Sequence, residues 1–116
     1  MFHSLGIKQT WERRLKQAGL RGYAIGLPGR LEIPDLKIGD KLTVYLLDDG
    51  KLKYSKNTDF EDRVLYKYKR KYKYRMVSKK EKGLSVPADW VHDQGIMQGY
   101  LITIGLDNER NIYIMI

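Results

Sequence analysis

Apolar and polar residues alternate along two stretches of the chain that align with each other without a gap. The stretches are residues 38–54, IGDKLTVYLLDDGKLKY, and residues 98–114, QGYLITIGLDNERNIYI. Apolar residues at every second position place one side of a strand against a core. The aspartate and glycine of residues 48–50 predict a turn in the first stretch, and Asn108–Asn111 predicts a longer one in the second. We therefore expect two half-buried β-hairpins with the same pattern; their matched apolar positions are Leu42, Val44 and Leu46 and Ile102, Ile104 and Leu106.

The similarity continues upstream, where residues 24–40 align with residues 83–100 after one insertion in the second copy. Pro28 and Pro87 each end a short apolar strand, because proline cannot donate to the ladder of a strand. In the second copy PADWVHDQG predicts a short helix that starts after Pro87 and stops at Gly95. In the first copy PGRLEIPDL contains too much glycine and proline for a helix and predicts a turn or coil. A basic segment with a glycine bend precedes each proline strand, at residues 11–22 and 72–83.

Tyrosine alternates with lysine or arginine in residues 64–75, VLYKYKRKYKYR. A helix is one interpretation, because Phe60, Val64, Tyr68 and Tyr72 recur every four residues. Strict alternation over 66–69 and 71–74 favours a strand with tyrosines on one side and cations on the other. We expect a short helical turn near 59–65 and a strand from about 66 to 78, in which the tyrosines pack inwards and the lysines face outwards.

The order of basic strand, glycine loop, strand ending in proline, short helix and hairpin occurs twice and resembles the AbrB-like (SpoVT/AbrB) swapped-hairpin family. The residues that carry the resemblance are YAIGLP and LKIGDKLTVYLLDDGKLKY in the first copy and the stretch from Arg75 to Ile114 in the second. It implies one mainly β domain over 1–116, a swapped-hairpin barrel of two tandem βαββ-type repeats with one or two short helices. The repeats cover 10–55 and 72–116, and 56–71 forms the linker and the start of the basic strand.

Positive charge is concentrated in the middle of the chain and depleted from its last third. The net charge of +8 divides into +5 for residues 1–56, +6 for residues 57–82 and −3 for residues 83–116. Residues 63–82 contain ten basic side chains against Glu81 alone. So asymmetric a distribution indicates a face that meets a polyanion.

Members of the AbrB-like family bind duplex DNA as regulators, so the resemblance implies a transcriptional regulator that contacts double-stranded DNA. Long cationic side chains on rigid strands neutralise phosphates and release counterions, and arginine adds bidentate recognition of guanine or phosphate. We expect no cofactor, and homodimerisation stays open. The candidate DNA-binding residues are Arg13, Arg14, Lys16 and Arg21 in the first copy and Lys73, Arg75, Lys79, Lys80 and Lys82 in the second.

Two alternatives to a duplex-binding regulator stay open. One is an antitoxin or protein-interaction module on the same fold, although such antitoxins add a flexible tail and this sequence ends in a strand-like NIYIMI. The other is an RNA or single-strand binder that stacks bases on the tyrosines.

The sequence favours a non-enzymatic protein without a metal. His92 with Asp89 and Asp93 is better explained as the polar side of a helix than as a metal site. Cysteine is absent, no apolar run is long enough to span a bilayer, and no signal peptide is apparent, so we expect a cytoplasmic protein. Abundant lysine, tyrosine and isoleucine hint at a thermophilic, archaeal or viral source.

Overall fold

The computed structural model describes residues 6–20, 22–29, 36–56 and 63–116. Within these ranges the chain forms ten strands and one short helix, which confirms the expectation of a mainly β fold. In chain order the elements are β1 (Ile7–Arg14), β2 (Lys16–Ala18), β3 (Gly22–Gly26), β4 (Lys41–Leu47), β5 (Leu52–Ser55), β6 (Val64–Lys67), β7 (Tyr72–Met76), β8 (Lys82–Val86), α1 (Ala88–Asp93), β9 (Leu101–Asp107) and β10 (Ile112–Met115).

Antiparallel pairing joins the strands into one curved sheet in the order β1-β9-β10-β5-β4-β7-β8-β3-β2, with β6 also beside β4. The strands at the two ends of this order, β1 and β2, are separated in the chain by Leu15 alone. The Leu15 N–H donates to the carbonyl oxygen of Tyr100, and the Gly99 N–H donates to that of Leu15, both at 2.8 Å. The chain therefore connects both ends of the strand order through Leu15, and the fold is barrel-like.

The tyrosine–lysine ribbon is a strand with an interruption rather than a helix. Both β6 and β7 run antiparallel to β4, with Tyr66 opposite Leu46 and Tyr72 opposite Leu42. A separation of four residues along β4 thus corresponds to six along the ribbon, so the ribbon bulges by two residues between β6 and β7. An even number of extra residues leaves the inward and outward sides unchanged.

The prediction of a short helical turn near 59–65 was wrong for residues 64 and 65, which form part of a strand. Residues 64 and 65 belong to β6, while 57–62 lie outside the described residues. Of the two glycine bends, the first contains Gly19 at a φ of +72°. The second bend is closed by the Val77 N–H donating to the carbonyl oxygen of Glu81 at 2.9 Å, and Gly83 lies inside β8.

Strand pairing also connects the first half of the chain to the second. β1 pairs with β9, β3 with β8, β5 with β10, and β4 with both β6 and β7. Ile25 lies opposite Leu84 at the middle of the β3–β8 pair, and Lys53 lies opposite Tyr113 at the middle of the β5–β10 pair. Neither half could therefore build this sheet from its own strands.

The core fills the inner side of the curved sheet with the residues that the alternation predicted. Leu42, Val44, Ile102 and Ile104 are all buried there. The helix α1 follows Pro87 as expected, and Gly95 after it adopts a φ of +68°. Trp90 on α1 is buried and donates its indole N–H to the carbonyl oxygen of Gly50 at 3.0 Å. The helix thus fixes the β4–β5 turn against the core.

The two hairpins are buried on both sides, whereas the sequence predicted half-buried strands. Every residue of β5 and of β10 is buried. The outward-facing side chains form a second apolar cluster of Ile7, Tyr45, Leu47, Tyr113 and Met115. Lys53 is also buried on this side, with its ammonium 5.5 Å from the centre of the Tyr113 ring. Lys53 therefore shows that a basic residue between two apolar positions of a strand can be buried in this fold.

Within the described residues no helix is long and apolar enough to cross a membrane.

Candidate functional site

Alternation in β7 separates its aromatic residues from its cations. Tyr72 and Tyr74 are buried, while Lys73 and Arg75 are exposed. Neighbouring residues of a strand point to opposite sides of the sheet. The tyrosines therefore anchor the strand in the core and hold the two cations on the outer side.

Four neighbouring strands, β2, β3, β8 and β7, form one outer side of the sheet, which we call the basic layer. Its cations are Lys16 on β2, which is partly exposed, and Lys73 and Arg75 on β7, which are exposed. Across it one row of paired residues runs Lys16–Ala24–Ser85, and the adjacent row runs Gly26–Gly83–Arg75. Lys16 and Arg75 thus lie on the two outermost strands of the layer, three strand spacings apart and offset by two residues along the strands, or roughly 16 Å. This separation is comparable to the width of the major groove, which is about 12 Å.

Arg14 and Lys73 each lie two residues before Lys16 and Arg75, Arg14 at the end of β1 and Lys73 on β7, and both are exposed. Arg14 donates a guanidinium N–H to the carbonyl oxygen of Gly99 at 3.0 Å. Lys73 lies directly opposite Lys41 of β4, which is exposed as well. Like charges in register repel each other, so an anion that binds both ammonium groups would relieve the repulsion. The register made Lys41 a neighbour of this site, and no feature of the sequence alone identifies it.

The turn between β7 and β8 adds cations at one corner of the basic layer, where the outer side meets the inner side of the sheet. Lys82 lies opposite Met76 and therefore on the side of Tyr74. Lys79 and Lys80 are exposed on this turn, and Lys82 is exposed at the start of β8. Lys80, Lys82 and Arg13 line the polar side of a groove of about 430 Å³ whose apolar wall includes Leu27 and Tyr74. The structure thereby brings together predicted residues that are 67 positions or more apart in sequence.

Glu81 lies among these cations and engages two of them. Its carboxylate accepts a hydrogen bond from the Lys16 ammonium at 2.6 Å and lies 3.9 Å from Nε of Arg13. Arg13, Lys16 and Glu81 are all partly exposed. Two of the predicted DNA-binding side chains are therefore already held by an internal carboxylate.

The tyrosines of the ribbon contact one another edge to face. The ring centres of Tyr66 and Tyr68 are 4.9 Å apart and those of Tyr68 and Tyr72 are 6.1 Å apart, with interplanar angles of 90° and 87°. Burial, with a smaller contribution from the nearby Tyr72, raises the pKa of Tyr68 to about 12. Burial likewise raises the pKa of Tyr72, against a smaller opposing effect of Arg70, whose guanidinium lies 4.9 Å from the ring centre of Tyr72. Tyr66 differs from Tyr72 in exposure, since its side chain is 47% exposed and Tyr72 is buried.

Two of the sequence predictions do not contribute to this site as described. Arg21, a predicted DNA-binding residue, is not among the described residues. His92 is exposed and meets the edge of Tyr23, with ring centres 6.1 Å apart. Over the described ranges, no group of three or more histidines or carboxylates is placed to bind a metal ion.

No family model, no curated protein and no solved structure matches the chain. The features of the molecule that bear on function are the basic layer, the turn between β7 and β8, and the Glu81 carboxylate that contacts Arg13 and Lys16.

Proposed function

We propose that the protein binds double-stranded DNA and acts as a transcriptional regulator, built on a swapped-hairpin barrel of the AbrB type. The observation that carries this proposal is the basic layer, where Lys16, Lys73 and Arg75 project from paired strands whose other side is packed in the core. Rigid strands fix the spacing of the cations, so little backbone conformational freedom is lost on binding. Neutralised phosphates release counterions, which supplies the affinity.

The pairing between the two halves supports a duplicated unit. In the sequence alignment Leu52 corresponds to Ile112 and Tyr54 to Ile114, whereas in the sheet Leu52 pairs with Ile114 and Tyr54 with Ile112. Ala24 and Gly26 likewise pair with Ser85 and Gly83 in exchanged order. A two-fold relation between the halves requires such an exchange, so one chain would take the place of the usual family dimer.

The cations of the basic layer, of its turn and of the end of β1 divide into two roles under this proposal. Lys79, Lys80 and Lys82 contact phosphates, because a lysine ammonium binds as a point charge without a fixed geometry. Arg14, Arg75 and, once released from Glu81, Arg13 are suited to bidentate contacts with guanine or phosphate. Lys16 contributes to phosphate binding, and Arg21 is retained as a predicted contact.

Tyrosine packing favours duplex over single-stranded ligands. A base stacks on an exposed ring face, but Tyr72 and Tyr74 are each only 8% exposed and Tyr68 packs between two other rings. Among the ribbon tyrosines, the exposed Tyr66 is the one that supports the alternative of an RNA or single-strand binder.

A retardation assay with duplex DNA, single-stranded DNA and RNA of one sequence, repeated at several salt concentrations, tests the proposal. We expect the duplex to bind tightest and its affinity to fall by about 0.9 log units per tenfold increase in salt for each phosphate contact. A preference for single strands would replace the proposal with the alternative carried by Tyr66. No binding of the duplex at low salt would refute it.

A further inference from the structure

Glu81 connects the two halves of the basic layer. It lies at the end of the turn between β7 and β8, in the second half of the chain, and its two cationic partners, Arg13 and Lys16, belong to the first half. Residues 63–82 contain ten basic side chains and no other acidic one. This carboxylate is thus placed where every nearby charge of its own segment is positive.

A glycine gives the Glu81 side chain its place on the layer. A Cβ atom added to Gly26 would lie 2.3 Å from the carboxyl carbon of Glu81 and 2.3 and 2.5 Å from its two oxygens. The carboxylate therefore lies directly against the backbone of β3, in the row that also contains Gly83 and Arg75. Any larger residue at position 26 would displace it.

We propose that Glu81 occupies the position of a backbone phosphate and locks Arg13 and Lys16, so that a duplex has to displace it to reach both cations. This inference rests on the proposed function, because it identifies a residue that regulates the same site. Carboxylate and phosphate are alternative partners for the same guanidinium and ammonium donors. Glu81 lowers the affinity for any duplex whose binding elsewhere is too weak to open the lock, which makes it a determinant of selectivity.

The neutral variant Glu81→Gln gives the first test, with a mixed-sequence duplex as the probe. Each additional phosphate that the protein neutralises raises the logarithm of the binding constant by about 0.9 when the salt concentration falls from 1 M to 0.1 M. At 0.1 M salt the affinity should therefore rise close to tenfold for each cation that the variant releases. The salt slope should steepen by about 0.9 to 1.8. The matched control is Glu109→Gln, which makes the same change of charge at an exposed residue of the β9–β10 turn.

Gly26→Ala gives a second test that leaves the net charge unchanged. The atoms nearest to the added methyl group belong to the flexible end of the Glu81 side chain, so the fold should tolerate it while the carboxylate moves away from Lys16. We expect Gly26→Ala to raise duplex affinity as Glu81→Gln does. In the double variant the two increases in affinity should not add, because both act through the same ion pairs.

The outcomes separate the lock from the proposed function. If the wild-type protein binds duplex and Glu81→Gln binds no more tightly than Glu109→Gln, the lock is wrong and the proposed function stands. If neither the wild-type protein nor Glu81→Gln binds duplex at low salt, both are wrong. Binding by Glu81→Gln and Gly26→Ala that clearly exceeds wild type supports the lock, and thermal unfolding of each variant confirms that the compared proteins are folded.

Discussion

Gly26 and Gly83 lie opposite each other in the β3–β8 pair, yet they are glycines for different reasons. At Gly26 an added Cβ meets the mobile end of a glutamate side chain. At Gly83 it would lie 2.1 Å from the carbonyl oxygen of Ile25 and 2.8 Å from Cγ1 of Val77. Neither glycine has a positive φ that would require it. Packing gives the reason for each: Gly26 leaves room for the Glu81 side chain, and Gly83 allows two strands to approach closely.

Gly83→Ala should therefore destabilise the protein by about 1–3 kcal/mol, the usual cost of forcing extra volume into a packed site. The backbone of β3 cannot move aside without breaking its pairs with β8 and β2. Gly26→Ala is the matched control and should change stability far less. Urea unfolding followed by circular dichroism measures both, and equal losses in the two variants would contradict this account of the pair.

Buried tyrosines predict a loss of stability at high pH. Burial raises the pKa of Tyr54 well above its usual value, that of Tyr68 to about 12, and those of Tyr72 and Tyr74 to a smaller degree. In the unfolded chain a tyrosine ionises near pH 10, so between about pH 10 and pH 12 the folded state binds more protons than the unfolded state. The free energy of unfolding then falls as the pH rises, and this contribution is fully present below pH 10.

Urea unfolding at a series of pH values measures this effect. Wild-type stability should decline above about pH 10, and the decline should be shallower in Tyr68→Phe, which has no phenol to ionise. An identical decline in the two proteins would show that Tyr68 does not contribute.

At the scale of elements, the ribbon illustrates what alternation can and cannot predict. The side of each tyrosine and lysine in β7 follows from period two, and so does the position of the hairpins, while Pro87 and Gly95 predict the position of α1. The bulge between β6 and β7 does not follow, because it is set by the register with β4. Nor does the burial of Lys53, because the second apolar cluster on the outer side of the hairpins comes from tertiary packing.

The two ends of the ribbon should respond differently to loss of an aromatic ring. Tyr72→Ser removes a buried ring from the core and should cost about 3 kcal/mol or more. Tyr66→Ser removes a half-exposed ring and should cost less than about 1 kcal/mol. Comparing the urea midpoints of the two variants checks this order, and a larger loss for Tyr66→Ser would mean that the ribbon is anchored at its other end.

Cations of the same ribbon should affect binding rather than stability. Arg75→Ala and Arg14→Ala each remove an exposed side chain, so the melting temperature should barely change. Each should weaken duplex binding and reduce the salt slope by about 0.9. If a variant has a lower melting temperature but still binds duplex as wild type does, that arginine stabilises the fold and does not contact DNA.

At the scale of the whole molecule, the strand order brings the cations of both halves together. The charge asymmetry along the sequence predicts a polyanion partner, but it cannot say which lysines are neighbours. The pairing of β3 with β8 places Lys16 and Arg75 on one layer, and the pairing of β4 with β7 adds Lys41. The engagement of Arg13 and Lys16 by Glu81 is equally a product of long-range packing, and it changes which candidate residues are available to a ligand.

Lysine acetylation in the presence and absence of duplex DNA, with each site quantified by mass spectrometry, tests the central claim most directly. The basic layer and its turn should be shielded by the duplex, so Lys73, Lys79, Lys80 and Lys82 should lose reactivity. Lys8 lies on β1 six residues before Arg14, or roughly 20 Å away along the strand, and should react equally with and without duplex. Protection spread evenly over all of these lysines, or stronger at Lys8 than at the turn, would contradict the assignment of the basic layer as the DNA-binding surface.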